Sequence, residues 1–254
     1  MNRIALNNGR MRKMFDAVPE KYNRLNKILT FGQDETWRQK ALDAIETEDG
    51  TTILDICTGT GDLALKIAGR FPNARVYALD FSPRMLAWAK ERAQQLNVQN
   101  IIFKENDCLG MPFSDEYFDY ITISFGFRNL SYSTTNLDKA LKEINRVLKN
   151  GGRLVIIETS QPVNTFVRRL FHFYAIKIVP RIGMLLSGKK EPYAYLGMSI
   201  VKFFDSNKLA SFLGSRRFKL EKRAPYMFGM ISLYVFQKKS NQVRSKLQQN
   251  DFLD

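Results

Sequence analysis

From about residue 51 to residue 158 the apolar positions of the chain switch repeatedly between two periods. "TTILDIC", "ARVYALD", "NIIFKEND", "FDYITISF" and "RLVIIE" are short apolar runs with strand character. Between them, "DLALKIAGRF", "SPRMLAWAKERAQQLN" and "NLDKALKEINRVLKNGG" carry apolar residues at helical spacing. Ser82 is the expected N-cap of the second helix and Pro83 its first position, where a missing N–H costs nothing. The glycine pair at 151 and 152 is the expected end of the third. Strand–helix units repeated at this length predict a parallel sheet with helices on both faces. The pattern then breaks: "FKLEKRA" and "ISLYVFQKK" are strands with no room for a helix between them, so they predict an antiparallel hairpin at the sheet edge. The expected fold is α/β, a seven-stranded, mostly parallel sheet with a C-terminal antiparallel hairpin. Residues 1–50 are expected to be a helical lid and 51–237 the main domain, with 160–205 a helical insertion in it and 238–254 a polar tail.

In such sheets ligands bind beyond the carboxyl ends of the strands, where a glycine-rich turn lets them approach the backbone. "LDICTGTGDLAL", residues 54–65, occupies that place. Gly59, Gly61 and Ala64 also fit a dinucleotide fingerprint, with Asp80 about 20 residues further on. Against a dinucleotide, Asp62 puts a carboxylate at the helix start where a pyrophosphate would sit. A zwitterionic or cationic ligand suits the turn better, and S-adenosylmethionine is one. Asp80 can accept both ribose hydroxyls, Asp107 can accept from the adenine amino group, and Cys108 can donate its backbone N–H. Ser124, with the backbone from Gly59 to Gly61, would line the methionine side. Each acidic residue taken singly reads as a turn or helix cap. Four strand ends in order are harder to dismiss.

Charge changes the picture when it is divided along the chain. The formal net charge of +14 is carried almost wholly by residues 159–254, which hold 17 basic and 5 acidic residues, a net +12. Many of these basic residues stand among Phe, Tyr, Ile, Leu and Met, which fits an anionic surface, lipid or nucleic acid, and equally a solvated basic face. No run of eighteen or more apolar residues is evident and the first fifteen residues lack the apolar core of a secretory signal, so a cytoplasmic protein is expected. Two cysteines, Cys57 and Cys108, in no CxxC pattern suit a reducing compartment, and a single histidine, His172, argues against a zinc cluster.

Taken together, "KYNRLNKILTFGQDETWRQ", "LDICTGTGDLAL", "ALDFSPRML", "ITISFGFRNL", "ALKEINRVLKNGGRLVIIE" and "YAYLGMSIVKFF" resemble the ubiquinone/menaquinone biosynthesis C-methyltransferases over about residues 10 to 237. The resemblance implies a Rossmann-like class I methyltransferase fold. It also implies methyl transfer from S-adenosylmethionine to a ring carbon of a polyprenylated quinol, either demethylmenaquinol or a ubiquinone precursor. By position it carries over Thr60, Asp80, Asp107, Cys108 and Ser124 as cofactor contacts, beside Gly59 and Gly61. This chain departs from the family at Cys57, where a glycine is common, and at Asp107-Cys108, where many members have Asn-Ala. For the chemistry, Arg128 could stabilise a phenolate or orient a water, with Asn129 beside it and Tyr22 reaching the quinol oxygen from the lid; the alternative for Arg128 is a structural ion pair. His172, between Phe171 and Phe173, reads as packed or surface-facing.

The expected partners are the quinol, an anionic membrane surface met through residues 165–190, and a second copy of the chain or other quinone-biosynthesis enzymes, with no nucleic acid. The localisation that follows is cytoplasmic, peripheral at the inner face of the membrane. Other readings are a methyltransferase acting on another small molecule or RNA, and a nicotinamide-dependent oxidoreductase.

Overall fold

The computed structural model describes residues 8–16, 19–131 and 133–240. Its strands are β1 (Thr52–Ile56), β2 (Arg75–Asp80), β3 (Ile101–Glu105), β4 (Phe118–Ser124), β5 (Leu148–Thr159), β6 (Phe218–Tyr226) and β7 (Ile231–Lys238). They form one sheet in the order β3-β2-β1-β4-β5-β7-β6. The first five strands are parallel, and β7 runs antiparallel to both β5 and β6. The hairpin is therefore present at the edge, with its second strand on the inside.

Period-two alternation divides the strands between two cores. Leu54 and Ile56 of β1 and Leu154 and Ile156 of β5 point into one core, with Leu137, Ala140, Leu141 and Ile144 of helix α7 (Thr134–Val147). Ile53, Val155 and Ile157 point to the other face, against Leu63, Ala64 and Ile67 of α4 (Asp62–Arg70) and Trp37 and Ala41 of α3 (Gln33–Leu42). Covering on both faces explains why the central strands read as nearly continuous apolar runs. Helix α5 (Pro83–Gln95) begins as its sequence predicts: the Ser82 hydroxyl accepts from the Met85 N–H at 3.2 Å, and Pro83 opens the first turn.

One boundary differs from expectation. Helix α7 ends at Val147, and Leu148 already pairs with Phe118, so Gly151 and Gly152 lie inside β5 rather than closing the helix. The register shift between Phe118 and Tyr120 absorbs them, and a side chain at Gly152 would meet the Asp119 carbonyl at 3.0 Å.

Two helical groups cover the carboxyl ends of the strands. The amino-terminal group is α1 (Asn8–Asp16), α2 (Pro19–Leu29) and α3. The inserted group is α8 (Thr165–Phe173), a π-helical segment Tyr174–Ile178, α9 (Val179–Ser187) and α10 (Glu191–Lys202), followed by α11 (Ser206–Gly214). They meet each other: Leu25 and Leu29 pack with Val179 and Tyr193, and the Tyr174 hydroxyl donates to the Leu29 carbonyl at 2.7 Å. Residues Thr165–Ser187 form one continuous helix of 23 residues that is long and apolar enough to cross a membrane by length and composition. The sequence reading missed this because the apolar residues are interrupted by Lys177 and Arg181. Lys238, placed at the start of the polar tail, instead ends β7, buried, with its Nζ donating to the Leu148 carbonyl at 2.7 Å. The remainder of that tail from residue 241 lies outside the described residues.

Candidate functional site

The glycine turn follows β1 and opens α4. Gly59 (φ 56°) and Gly61 (φ 78°) both occupy the left-handed region, where a side chain is strained, and a Cβ on Gly61 would also press on Ala89 at 3.0 Å. Cys57 shares this geometry at φ 55° without being glycine. Its Cβ is accommodated by Gly126, where an added Cβ would lie 2.5 Å away. Room for the Cys57 side chain therefore depends on the glycine at the neighbouring strand end.

Asp80 stands at the end of β2 with its carboxylate already oriented. Oδ2 accepts the Gly59 N–H at 2.8 Å and Oδ1 the Ser82 N–H at 2.9 Å, which fixes the carboxylate and leaves it acceptor capacity to spare. Burial pushes its pKa up to about 6, against the pull of the Ser82, Gly59 and Phe81 N–H groups. Asp55, inside β1, is likewise raised by burial to about 6, opposed by hydroxyl donors on Thr122 and Thr58, both at 2.6 Å. Asp107 lines the same cavity and accepts the Leu109 N–H at 3.1 Å. Cys108 also lines it, and the Cys57 thiol is raised by its hydrogen bond with Cys108 and by burial. The Ser124 hydroxyl is buried at the cavity wall with no hydrogen-bond partner among the described residues.

Asp62 does not present a bare carboxylate, contrary to expectation. Arg92 pairs with it at 2.5 Å, Arg38 at 3.3 Å, and the Asn23 amide donates to it at 3.2 Å. Asn23 also accepts from the Thr60 hydroxyl at 2.7 Å, and Arg92 donates to the Thr60 carbonyl at 2.7 Å. The turn is therefore gripped from α2, α3 and α5, and local charge at Asp62 does not decide against a dinucleotide. None of these partners was singled out in the sequence, because each is more than twenty positions away from the turn.

After Ser124 the chain reverses through Phe125 (φ 55°) into the one-turn helix α6 (Phe127–Leu130), which aims Arg128 and Asn129 into the cavity. Arg128 is ion-paired: Nη1 donates to Glu158 Oε1 at 2.6 Å, and the Arg128 N–H donates to Oε2 at 3.1 Å. Glu158 is fully buried and also accepts from the Thr159 N–H and hydroxyl. It was missed in the sequence, although a carboxylate at the end of β5 occupies the same kind of place as Asp80. The Asn129 side-chain amide oxygen, Oδ1, accepts from the Tyr195 hydroxyl at 3.2 Å. Tyr22 belongs to α2, but its side chain lies outside the described residues. His172 does not line the cavity; its Nε2 lies 2.6 Å from the Gln161 amide oxygen, and burial with nearby Arg168 lowers its pKa.

One cavity of about 440 Å³ joins the glycine turn, Asp80, Asp107, Cys108, Ser124, Arg128 and Asn129. Its floor is the glycine turn with Asp80, Asp107, Cys108 and Ser124, Arg128 and Asn129 stand at its wall, and Leu29, Phe31, Leu170, Tyr174, Val179 and Ile200 make a long apolar half. Its chemistry fits S-adenosylmethionine: a preoriented diol acceptor, an unpartnered hydroxyl and a backbone that permits close approach.

A model of the ubiE/COQ5 methyltransferase family matches residues 3–238. A ubiquinone/menaquinone biosynthesis C-methyltransferase UbiE of Geotalea daltonii is 36% identical over 231 residues, covering 90% of this chain and 96% of that protein. A demethylmenaquinone methyltransferase of Thermus thermophilus is 37% identical over 87% of this chain and 98% of its own length. A third relative, the demethylmenaquinone methyltransferase of Porphyromonas gingivalis, is 37% identical over 84% and 86%. Among solved structures, a SAM-dependent methyltransferase from Aquifex aeolicus has a TM-score of 0.60 at 19% identity, covering 86% of this chain and 98% of that one. The Bacillus YcgJ protein has a TM-score of 0.59 at 16% identity, over 81% and 99%. The two structural likenesses bear on the fold, which is that of the class I Rossmann-like methyltransferases.

Proposed function

The chain belongs to the ubiE/COQ5 methyltransferase family, and we propose that it methylates a ring carbon of a polyprenylated quinol, with demethylmenaquinol the favoured acceptor and a ubiquinone precursor the second. Family and fold together indicate an enzyme that binds S-adenosylmethionine and transfers its methyl group. The observation that supports the finer reading is that one cavity is lined both by the polar strand-end residues and by Leu29, Phe31, Leu170, Tyr174, Val179 and Ile200, whose apolar side chains suit an isoprenoid tail.

When bound, S-adenosylmethionine supplies a methyl group on a positively charged sulfur. Asp80, held by the Gly59 and Ser82 N–H groups, would accept the ribose hydroxyls with its remaining acceptor capacity. Asp107 and the Cys108 backbone, which line the same cavity, would hold the adenine edge, and the Ser124 hydroxyl and the Thr60 turn would border the methionine end. A phenolic ring carbon becomes nucleophilic when its oxygen bears negative charge, so a fixed donor at that oxygen favours the reactive form. Arg128 supplies the donor. Glu158 holds the guanidinium in place and offsets part of its charge, so Arg128 acts through directed hydrogen bonding more than through its field. Asn129, steadied by Tyr195, borders the same space.

The test is transfer of a tritiated methyl group from S-adenosylmethionine to demethylmenaquinol and to a demethylated ubiquinone precursor. Label in a ring-methylated quinol is expected; cofactor binding with no labelled product from either quinol would overturn the reading.

A further inference from the structure

We propose that the mouth of the cavity is a lipid-docking face that seats on an anionic phospholipid bilayer. The quinol reading bears on this only through the direction in which the acceptor enters. Phe31 and Leu170 line the cavity and are at the same time 79% and 54% exposed, so they mark its opening. Phe166 and Phe173 share the exposed face of α8 with Leu170, one turn to either side, and Val163 and Phe228 are 86% and 81% exposed. These residues come from three separate parts of the chain: the α2–α3 turn, the segment from β5 through α8, and the β6–β7 turn. The fold brings them together. Phe31 lies 6.4 Å, ring to ring, from Tyr174 just after α8, and a Cβ at Gly229 would touch Pro162 at 3.5 Å, which seats the Phe228 turn beside Val163. A soluble surface rarely gathers this much exposed apolar side chain, least of all around an opening.

Two further observations select lipid as the occupant. Residues 160–190 contain six basic residues, Arg168, Arg169, Lys177, Arg181, Lys189 and Lys190, and no acidic residue, which complements an anionic headgroup layer. The Phe228 turn is also held in an unusual backbone: Met227, Phe228 and Gly229 have φ of 48°, 55° and 88°, a conformation that bulky residues seldom adopt, and it presents an aromatic ring outward. The helix Thr165–Ser187 lies on the surface rather than through it. Only 22% of its most apolar stretch is buried, and that contact is a close fit to α10, where a Cβ on Gly197 would meet the Ala175 carbonyl at 2.0 Å. Charges along its length suit a segment lying in the headgroup region better than one crossing the core.

The experiment is flotation of the full chain with vesicles of phosphatidylcholine alone and of phosphatidylcholine with phosphatidylglycerol, at low and high salt, beside the Phe166→Ser/Phe228→Ser variant. The wild type is expected to float with the anionic vesicles and to lose much of that binding in high salt. The variant is expected to float at least tenfold less, while keeping its S-adenosylmethionine affinity and its turnover of a short-chain, water-soluble quinol. Wild type that stays unbound to both vesicle types would overturn the proposal, as would a variant that floats like wild type. Self-association without lipid that the variant abolishes would assign the face to a second copy and overturn it too. Failure to methylate any quinol would sink the acceptor reading and leave the flotation result standing, so the two can fail separately.

Discussion

At the scale of single residues, the proposed function gives Asp80 and Arg128 separable roles, cofactor binding and acceptor activation, that can be tested apart. If Asp80 accepts the ribose hydroxyls, Asp80→Ala should weaken S-adenosylmethionine binding by about 2 to 4 kcal/mol, on the scale of hydrogen bonds to a charged group; calorimetry on the folded variant measures it. Because burial raises Asp80 to about 6, the carboxylate is ionised at pH 7 and takes up a proton as the pH falls through 6. Cofactor affinity should therefore be flat above pH 7 and fall by up to about tenfold per pH unit below 6. Stability of the free enzyme should move the other way. Asp55 and Asp80 both have folded pKa values of about 6, above the value of about 4 in an unfolded chain, so their contribution is largest below pH 4 and is lost as pH rises through 6. Arg128→Gln should lower turnover about a hundredfold, as for loss of one preorganised donor, while sparing cofactor affinity. If Glu158 works only by holding Arg128, Glu158→Gln combined with Arg128→Gln should be scarcely slower than Arg128→Gln alone. Additive losses would give Glu158 a role of its own.

At the scale of elements, the strand and helix readings from periodicity survive with one boundary moved, while glycine had to be read by its neighbours. Gly151 and Gly152 look like a helix terminus in the sequence, yet Leu148 is already paired in β5 and Gly152 is there because a carbonyl of β4 passes too close for a Cβ. Gly126 looks like an ordinary loop residue between "ITISF" and "FRNL", but it makes room for Cys57 across the β1 and β4 strand ends. Gly126→Ala should destabilise the fold by about 1 to 3 kcal/mol, the usual cost of overpacking. Introducing the same change into a Cys57→Gly background should recover most of that loss, since it removes the clashing Cβ and a left-handed non-glycine residue together. Urea denaturation of the four proteins tests it, and an equal loss in both backgrounds would place the strain elsewhere.

At the scale of the whole molecule, two helical groups close over one end of a sheet whose strand ends line the cavity. The glycine turn is gripped by Asn23, Arg38 and Arg92 from three helices, so ligand binding there is coupled to the order of the amino-terminal helices. S-adenosylhomocysteine at about a hundred times its Kd should stabilise the protein by about 2.7 kcal/mol, raising the melting temperature by about 5 to 10 °C. The Asp80→Ala variant should show little of this shift at the same concentration. A full shift in that variant would move the cofactor site away from the strand ends.

Local pattern determined the sheet, its parallel units, the edge hairpin and the positions of Asp80, Asp107 and Ser124 at strand ends, because periods of two and 3.6 and the chemistry of turns are set by residues close in sequence. The same pattern also placed "FGFRNL", with Arg128 and Asn129, after β4. Tertiary structure alone decided which charges are spent and which are offered. Arg128 and Glu158 are thirty positions apart, and Asp62 is neutralised by Arg92 from α5 and Arg38 from α3. Side-chain partners across such distances depend on how helices pack on the sheet, which no local period records. The same holds for the cavity mouth: Phe31, Leu170 and Phe228 are ordinary apolar residues in three unrelated stretches until the fold leaves them exposed around one opening.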